Sequence, residues 1–176
     1  MTHVPIFVWL AKVLAILGGI VLVAITILTC ISIVGRSLVP FGLAPIPGDF
    51  ELVEIGTGFA VFAFLPWCQL LRAHATVDLF TNFLSPRVNR VIDLISELLM
   101  TGVIVLIAWR LSVGMMEKMR YGETTFILQF PVWWGFAAAL AAAVVAVVVS
   151  FYMLWVRIRE VVAGRTLLEP GQGAIH

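Results

Sequence analysis

The sequence predicts an all-α integral membrane protein: four transmembrane helices, with an amphipathic interfacial segment between the second and third. Three observations carry this. The chain is 62% hydrophobic and 12% charged, whereas soluble domains carry roughly 25% charge, and its mean hydropathy is +1.10. The charges fall between long apolar runs, each near the roughly 20 residues that a helix needs to cross the hydrocarbon layer. The connections between these runs are short, so 1–176 reads as a single membrane domain embedded in the lipid bilayer.

Span 1 runs from Phe7 to Val34 and is closed by Gly35 and Arg36. The stretch from Val13 to Val34 carries no charge. It exceeds the roughly 7–15 residues of a signal-peptide core and reads as an uncleaved helix. Span 2 runs from Phe50 to Leu71 after a Pro/Gly turn, "APIPGDFELVE" (Ala44–Glu54). Asp49 is the expected N-cap. Glu51 and Glu54 fall in the first turns, where the helix dipole favours carboxylates. Pro66 should kink this span near its end.

Between spans 2 and 3, Val77, Phe80, Leu84, Val88, Val91 and Ile95 recur every three to four residues with polar residues between them. That spacing predicts a helix lying along the membrane surface. Ser85 followed by Pro86 makes a helix start. Span 3 covers Val91 to Val113 and span 4 Pro131 to Val156, with no charge from Phe126 to Val156. The Ala/Val-dense stretch "WGFAAALAAAVVAVVV" of span 4 permits close helix approach in lipid. A polar tail, Arg157 to His176, follows.

Direction follows from the basic residues. Lys12, Arg72, Arg87, Arg90, Arg157, Arg159 and Arg165 fall on one side, against Arg36, Lys118 and Arg120 on the other, with Arg110 unassigned. Both termini should face the cytoplasm. The tryptophans match an interfacial belt, with Trp9, Trp67 and Trp155 near one surface and Trp109, Trp133 and Trp134 near the other.

The net charge of +1 offers nothing for nucleic acid, and no zinc spacing or phosphate loop occurs. Cys30 and Cys68 lie in apolar runs and read as buried thiols rather than a disulfide framework. A haem site would need paired histidines within the spans, but His74 is the sole internal one. A nucleophilic enzyme has no Ser or Cys with a His and an acid arranged around it. Catalytic, cofactor and metal residues are therefore expected to be absent.

The charges that remain have two readings each. Asp93 and Glu97 share a helix face with Arg90. They are either hydrated in the first turns of span 3 or face protein as functional carboxylates. Glu54 is either a helix-start carboxylate at the outer interface or an ion-coupling group. Arg72, His74 and Asp78 form either a hydrogen-bonded cluster or a boundary marker that stops span 2.

The pattern from Lys12 to Val156 resembles the DctQ-like small membrane subunit of tripartite ATP-independent periplasmic (TRAP) transporters. Four spans of this length, with a Glu near the start of span 2, carry the resemblance. So do "LRAHATVDLF" (Arg72, His74, Val77, Asp78), "SPRVNRVIDL" (Ser85–Leu94) and "GETTFILQFPVWW" (Gly122–Trp134). It implies a scaffold subunit in the bacterial inner membrane, paired with a large membrane subunit that holds the sodium and substrate sites. A periplasmic substrate-binding protein would deliver an organic acid such as a C4-dicarboxylate or a sialic acid. On that reading Glu54, Arg72, His74, Asp78, Arg90, Asp93, Glu97, Pro131 and Trp133 are structural or partner-docking candidates. The alternative is a self-contained homo-oligomeric carrier that uses Glu54, or Asp93 and Glu97, for coupling.

Overall fold

A computed structural model describes residues 5–71 and 86–163. Helix α1 spans Pro5–Ser37 and is followed by a 3₁₀ turn at Val39–Phe41. Helix α2 spans Asp49–Leu70, α3 Pro86–Tyr121 and α4 Val132–Ala163. All four are long and apolar enough to cross a membrane. Among the described residues the only β pairing is an isolated bridge between Thr124 and Pro131.

Three helices outrun the spans read from hydropathy. With 33, 36 and 32 residues, α1, α3 and α4 reach about 48–54 Å, against about 30 Å of hydrocarbon. Hydropathy marks only the apolar middle, whereas helical backbone bonding continues into charged turns. The tail expected from Arg157 is therefore helical to Ala163. The amphipathic pattern from Pro86 onward belongs to the first turns of α3, and its earlier part lies outside the described residues. Pro86 is the first described residue of α3, and Ser85, its expected cap, lies outside the described residues. Pro66 lies inside α2, buried, and the helix runs on to Leu70.

One capping expectation is corrected. The N-cap of α2 is Gly48, in the left-handed conformation at φ 76°, and Asp49 is already helical. A side chain at position 48 would also meet Leu128, whose Cγ lies 2.5 Å from the place of a Cβ. Glycine thus answers both the backbone turn and the close approach of the α3–α4 connection.

The helices pack in the order α1, α2, α4, α3. Neighbours α1 and α2 are antiparallel, α2 and α4 parallel, and α4 and α3 antiparallel. We call the end with the α1–α2 and α3–α4 connections the upper end, and the other the lower. The last helix in sequence is central, and its face of small residues explains why. Ala139, Ala142, Ala143 and Ala146 are buried, so the backbones of α2 and α3 can approach closely. At the lower end α1 also reaches α4: Ala11, Leu70, Val149 and Met153 form a buried cluster, and the Phe7 and Tyr152 rings lie 4.8 Å apart. The outer face of α1, including Ile16, Ile20, Val23, Ile27 and Ile31, is left exposed by the described residues.

That open face overturns the buried-thiol expectation. Cys30 is exposed and Cys68 half-buried, and both are free thiols. An apolar run hides a side chain from water, but only tertiary packing hides it from the chain's own surface.

The α1–α2 seam is tight at Gly18, where an added Cβ would lie 2.9 Å from the Ala63 Cβ. Gly18→Val should therefore over-pack the seam and cost about 1–3 kcal/mol. Reversible unfolding of the purified protein in mixed micelles checks this, and an unchanged midpoint would contradict it.

Candidate functional site

Polar side chains concentrate at two levels of this apolar bundle, and each level ties separate helices together. At the upper end the centre is Glu51, in the first turn of α2 and 3% exposed. Its carboxylate accepts the backbone N–H of Ile127 at 2.7 Å and that of Leu128 at 3.0 Å. Consecutive N–H groups converging on an anion form a backbone nest.

The nest is shaped by its own connection. Gln129 takes the left-handed conformation at φ 55°, which is uncommon outside glycine. Its side chain is held at both ends: Gln129 Nε2 donates to the Phe126 carbonyl at 2.9 Å, and Thr124 Oγ1 donates to Gln129 Oε1 at 3.1 Å. Phe130 N–H donates to Thr125 Oγ1, and Thr125 N–H to the Phe130 carbonyl. Beside this, Ser32 of α1 donates to the Asp49 carboxylate at 2.5 Å. The upper end is thus a clasp in which α1, α2 and the α3–α4 connection meet on two acidic residues.

At the lower end a polar ladder crosses three helices. Ser150 of α4 donates to Gln69 Oε1 at 3.1 Å, and Gln69 Nε2 donates to Glu97 Oε1 of α3 at 2.6 Å. One rung further, Arg157 Nη1 of α4 donates to Asp93 Oδ2 at 3.0 Å and to Glu160 Oε2 at 3.2 Å. Gln69, Ser150 and Glu160 are at most 2% exposed. An amide suits the middle position because it donates and accepts at once. Among the described residues, no hydrogen-bond partner reaches the buried Arg157 Nε and Thr101 Oγ1.

The residues singled out in the sequence separate on this frame. Asp93 and Glu97 share a face of α3 but turn to different neighbours, Arg157 on α4 and Gln69 on α2. Among the described residues, no group of three His, Cys, Asp or Glu side chains gathers as a metal site. Pro131 makes the bridge to Thr124 and accepts the Trp134 N–H at 3.1 Å, ahead of α4. Trp133 is half-buried, with its ring edge-on to Trp134 at 5.7 Å. Glu54 is exposed on α2, one turn below Glu51, and lines a cavity of about 410 Å³. Arg90 lies in the first turns of α3. Arg72, His74 and Asp78 lie outside the described residues.

Sequence reasoning missed Gln69, Ser150, Arg157 and Glu160 as linking residues. The signal for two of them was present. Gln69 and Ser150 are lone hydrogen-bonding side chains in apolar runs, and such groups must find partners in lipid. Arg157 and Glu160 gave no such signal, because they read as a solvated tail.

Four apolar helices, fastened to one another by polar side chains at two levels, define a multi-pass membrane protein. Its family is that of the tripartite ATP-independent periplasmic transporters, DctQ component: the family model matches residues 25–160, and the chain belongs to it. The protein is therefore a DctQ-like small membrane subunit of a TRAP transporter. No curated protein and no solved structure matches the chain.

Proposed function

We propose that this chain is the scaffold of a sodium-coupled, binding-protein-dependent importer of an organic acid such as a C4-dicarboxylate or a sialic acid. It docks the large membrane subunit, which carries the sodium and substrate sites, and a periplasmic binding protein delivers the substrate. It sits in the bacterial inner membrane with both termini in the cytoplasm, and it is a transport component rather than an enzyme. Arg72, His74 and Asp78 serve as a structural and docking cluster at the cytoplasmic turn.

The observation that carries this reading is how the polar groups are used. Glu51, Asp93 and Glu97 each hold a different element of the same chain. A coupled carrier needs polar groups that bind and release ions near mid-membrane, often beside broken helices. Here the carboxylates fasten long continuous helices, which suits a rigid wall beside a moving partner. The alternative, a self-contained carrier, keeps one observation in its favour: Glu54 on the wall of a cavity.

Reconstitution separates the two. The purified chain alone in liposomes should take up no dicarboxylate or sialic acid under a sodium gradient. Adding the large subunit and the binding protein should establish uptake. Sodium-driven uptake by the chain alone would overturn the scaffold reading.

Topology gives an independent check, motivated by the Lys/Arg bias. A single cysteine at Gly122 should react with an impermeant thiol reagent in intact cells, and one at Gly171 should not. The reverse pattern would turn the protein over.

A further inference from the structure

The two upper-end glutamates of α2 differ in one respect. Each carboxylate oxygen of Glu51 accepts a backbone N–H. Glu54, one turn deeper, is exposed, and among the described residues no hydrogen bond or ion pair reaches it. About five residues below the start of α2, it lies roughly 7 Å along the helix axis, inside a segment that spans the membrane. A carboxylate at that depth faces protein or a wet cavity and pairs with a cation.

Its surroundings have the form of a seat. The cavity beside it holds about 410 Å³. Because α4 lies between α2 and α3, its small residues Gly135 and Ala139 form a floor, with Glu54, Gly58 and Phe62 of α2 on one wall and Leu111 of α3 on the other. Glu54, Gly58 and Phe62 are spaced by four residues and share one face. A Cβ added at Gly58 would meet nothing within 4 Å, so packing among the described residues does not call for a glycine here. Gly18 and Gly56, by contrast, would each place a Cβ 2.9 Å from a neighbouring helix.

We propose that this groove receives an apolar transmembrane helix of the large subunit, and that the helix carries one Lys or Arg that pairs with Glu54. Charge complementarity selects the occupant: an apolar wall with a single unpaired carboxylate fits an apolar helix with a single cation. Gly58 lets the incoming backbone approach closely, the role of small residues at helix contacts in lipid. This rests on the scaffold reading and adds to it the place of docking and the partner's chemistry.

The test uses the assembled complex, purified through a tag on the large subunit. Gly58→Leu and Glu54→Arg should each lower recovery of the small subunit by more than about tenfold, because a blocked seat or a facing like charge costs more than about tenfold in affinity. Glu54→Gln should lower it less. The variant chains purified alone should melt no lower than the wild type, since among the described residues a Cβ at Gly58 meets nothing within 4 Å and no hydrogen bond or ion pair reaches Glu54, and losing a helix-interior glycine does not weaken the helix. A photoreactive residue at Phe62 should cross-link to an apolar peptide of the large subunit with a Lys or Arg within one helical turn. Replacing that cation by Glu should restore assembly of Glu54→Arg. Wild-type recovery of Gly58→Leu, or a cross-link to phospholipid alone, would overturn the groove proposal and leave the scaffold reading standing. Failure of the wild-type chain to co-purify with the large subunit would overturn both.

Discussion

Arg157→Leu destabilises the purified chain by about 3–5 kcal/mol, the range for removing one partner of a buried ion pair. The guanidinium is 13% exposed and lies against Glu160, whose side chain is 1% exposed, and against the half-exposed Asp93. Its loss leaves the Glu160 charge buried without that cation, and it also cuts the link between α4 and α3. A second substitution isolates the cause. With Glu160→Leu added, the buried carboxylate is removed as well and an apolar pair fills the site, so most of the lost stability should return. Reversible unfolding in mixed micelles reads both variants. A double variant no more stable than Arg157→Leu alone would place the cost in lost packing rather than in charge.

Glu51→Ala opens the upper clasp. Two backbone N–H groups, on Ile127 and Leu128, lose their shared acceptor. A buried donor left unmade is costly, and bonds to a charged acceptor are among the stronger ones. The connection between α3 and α4 should loosen while the four helices persist. Hydrogen exchange at the Ile127 and Leu128 amides should accelerate by more than about tenfold, with the amides in the middle of α4 unaffected. Glu51→Gln, whose amide keeps one acceptor oxygen, should fall between the two. Unchanged protection at both amides in Glu51→Ala would show that the connection holds itself without the carboxylate.

The two sites differ in how far the sequence announced them. The four helices were legible because crossing a bilayer demands a run of apolar residues that no other architecture needs. The small-residue face of α4 was legible for a similar reason, although its partners proved to be helices of the same chain. Glu51 was visible as a helix-start carboxylate, and it does lie in the first turn of α2. Its actual partners lie 76 and 77 residues away, and no local pattern encodes such a distance. Gln69 and Ser150 were readable as polar exceptions that need a partner, but not as partners of each other. Arg157 and Glu160 were hidden by the boundary itself, because charged residues after an apolar run look solvated whether or not the helix continues. The thiol of Cys30 shows the converse. Its apolar context was read correctly, but which helix faces another depends on the order in which the helices pack.

That order bears on how the chain is made. Synthesis delivers α1, α2 and α3 before α4, yet α3 packs chiefly on α4, and α2 packs on α4 as well as on α1. Until then α3 lacks its main neighbour, and Gln69 and Glu97 await the helix that brings Ser150 and Arg157 beside them. The final helix acts as a keystone, set between two pieces already in the membrane. A ribosome that stops short of residue 132 leaves three inserted helices without a common core, and quality-control proteases should treat them as orphans. The nascent chain thus completes the interior of this four-helix bundle only when α4 joins it.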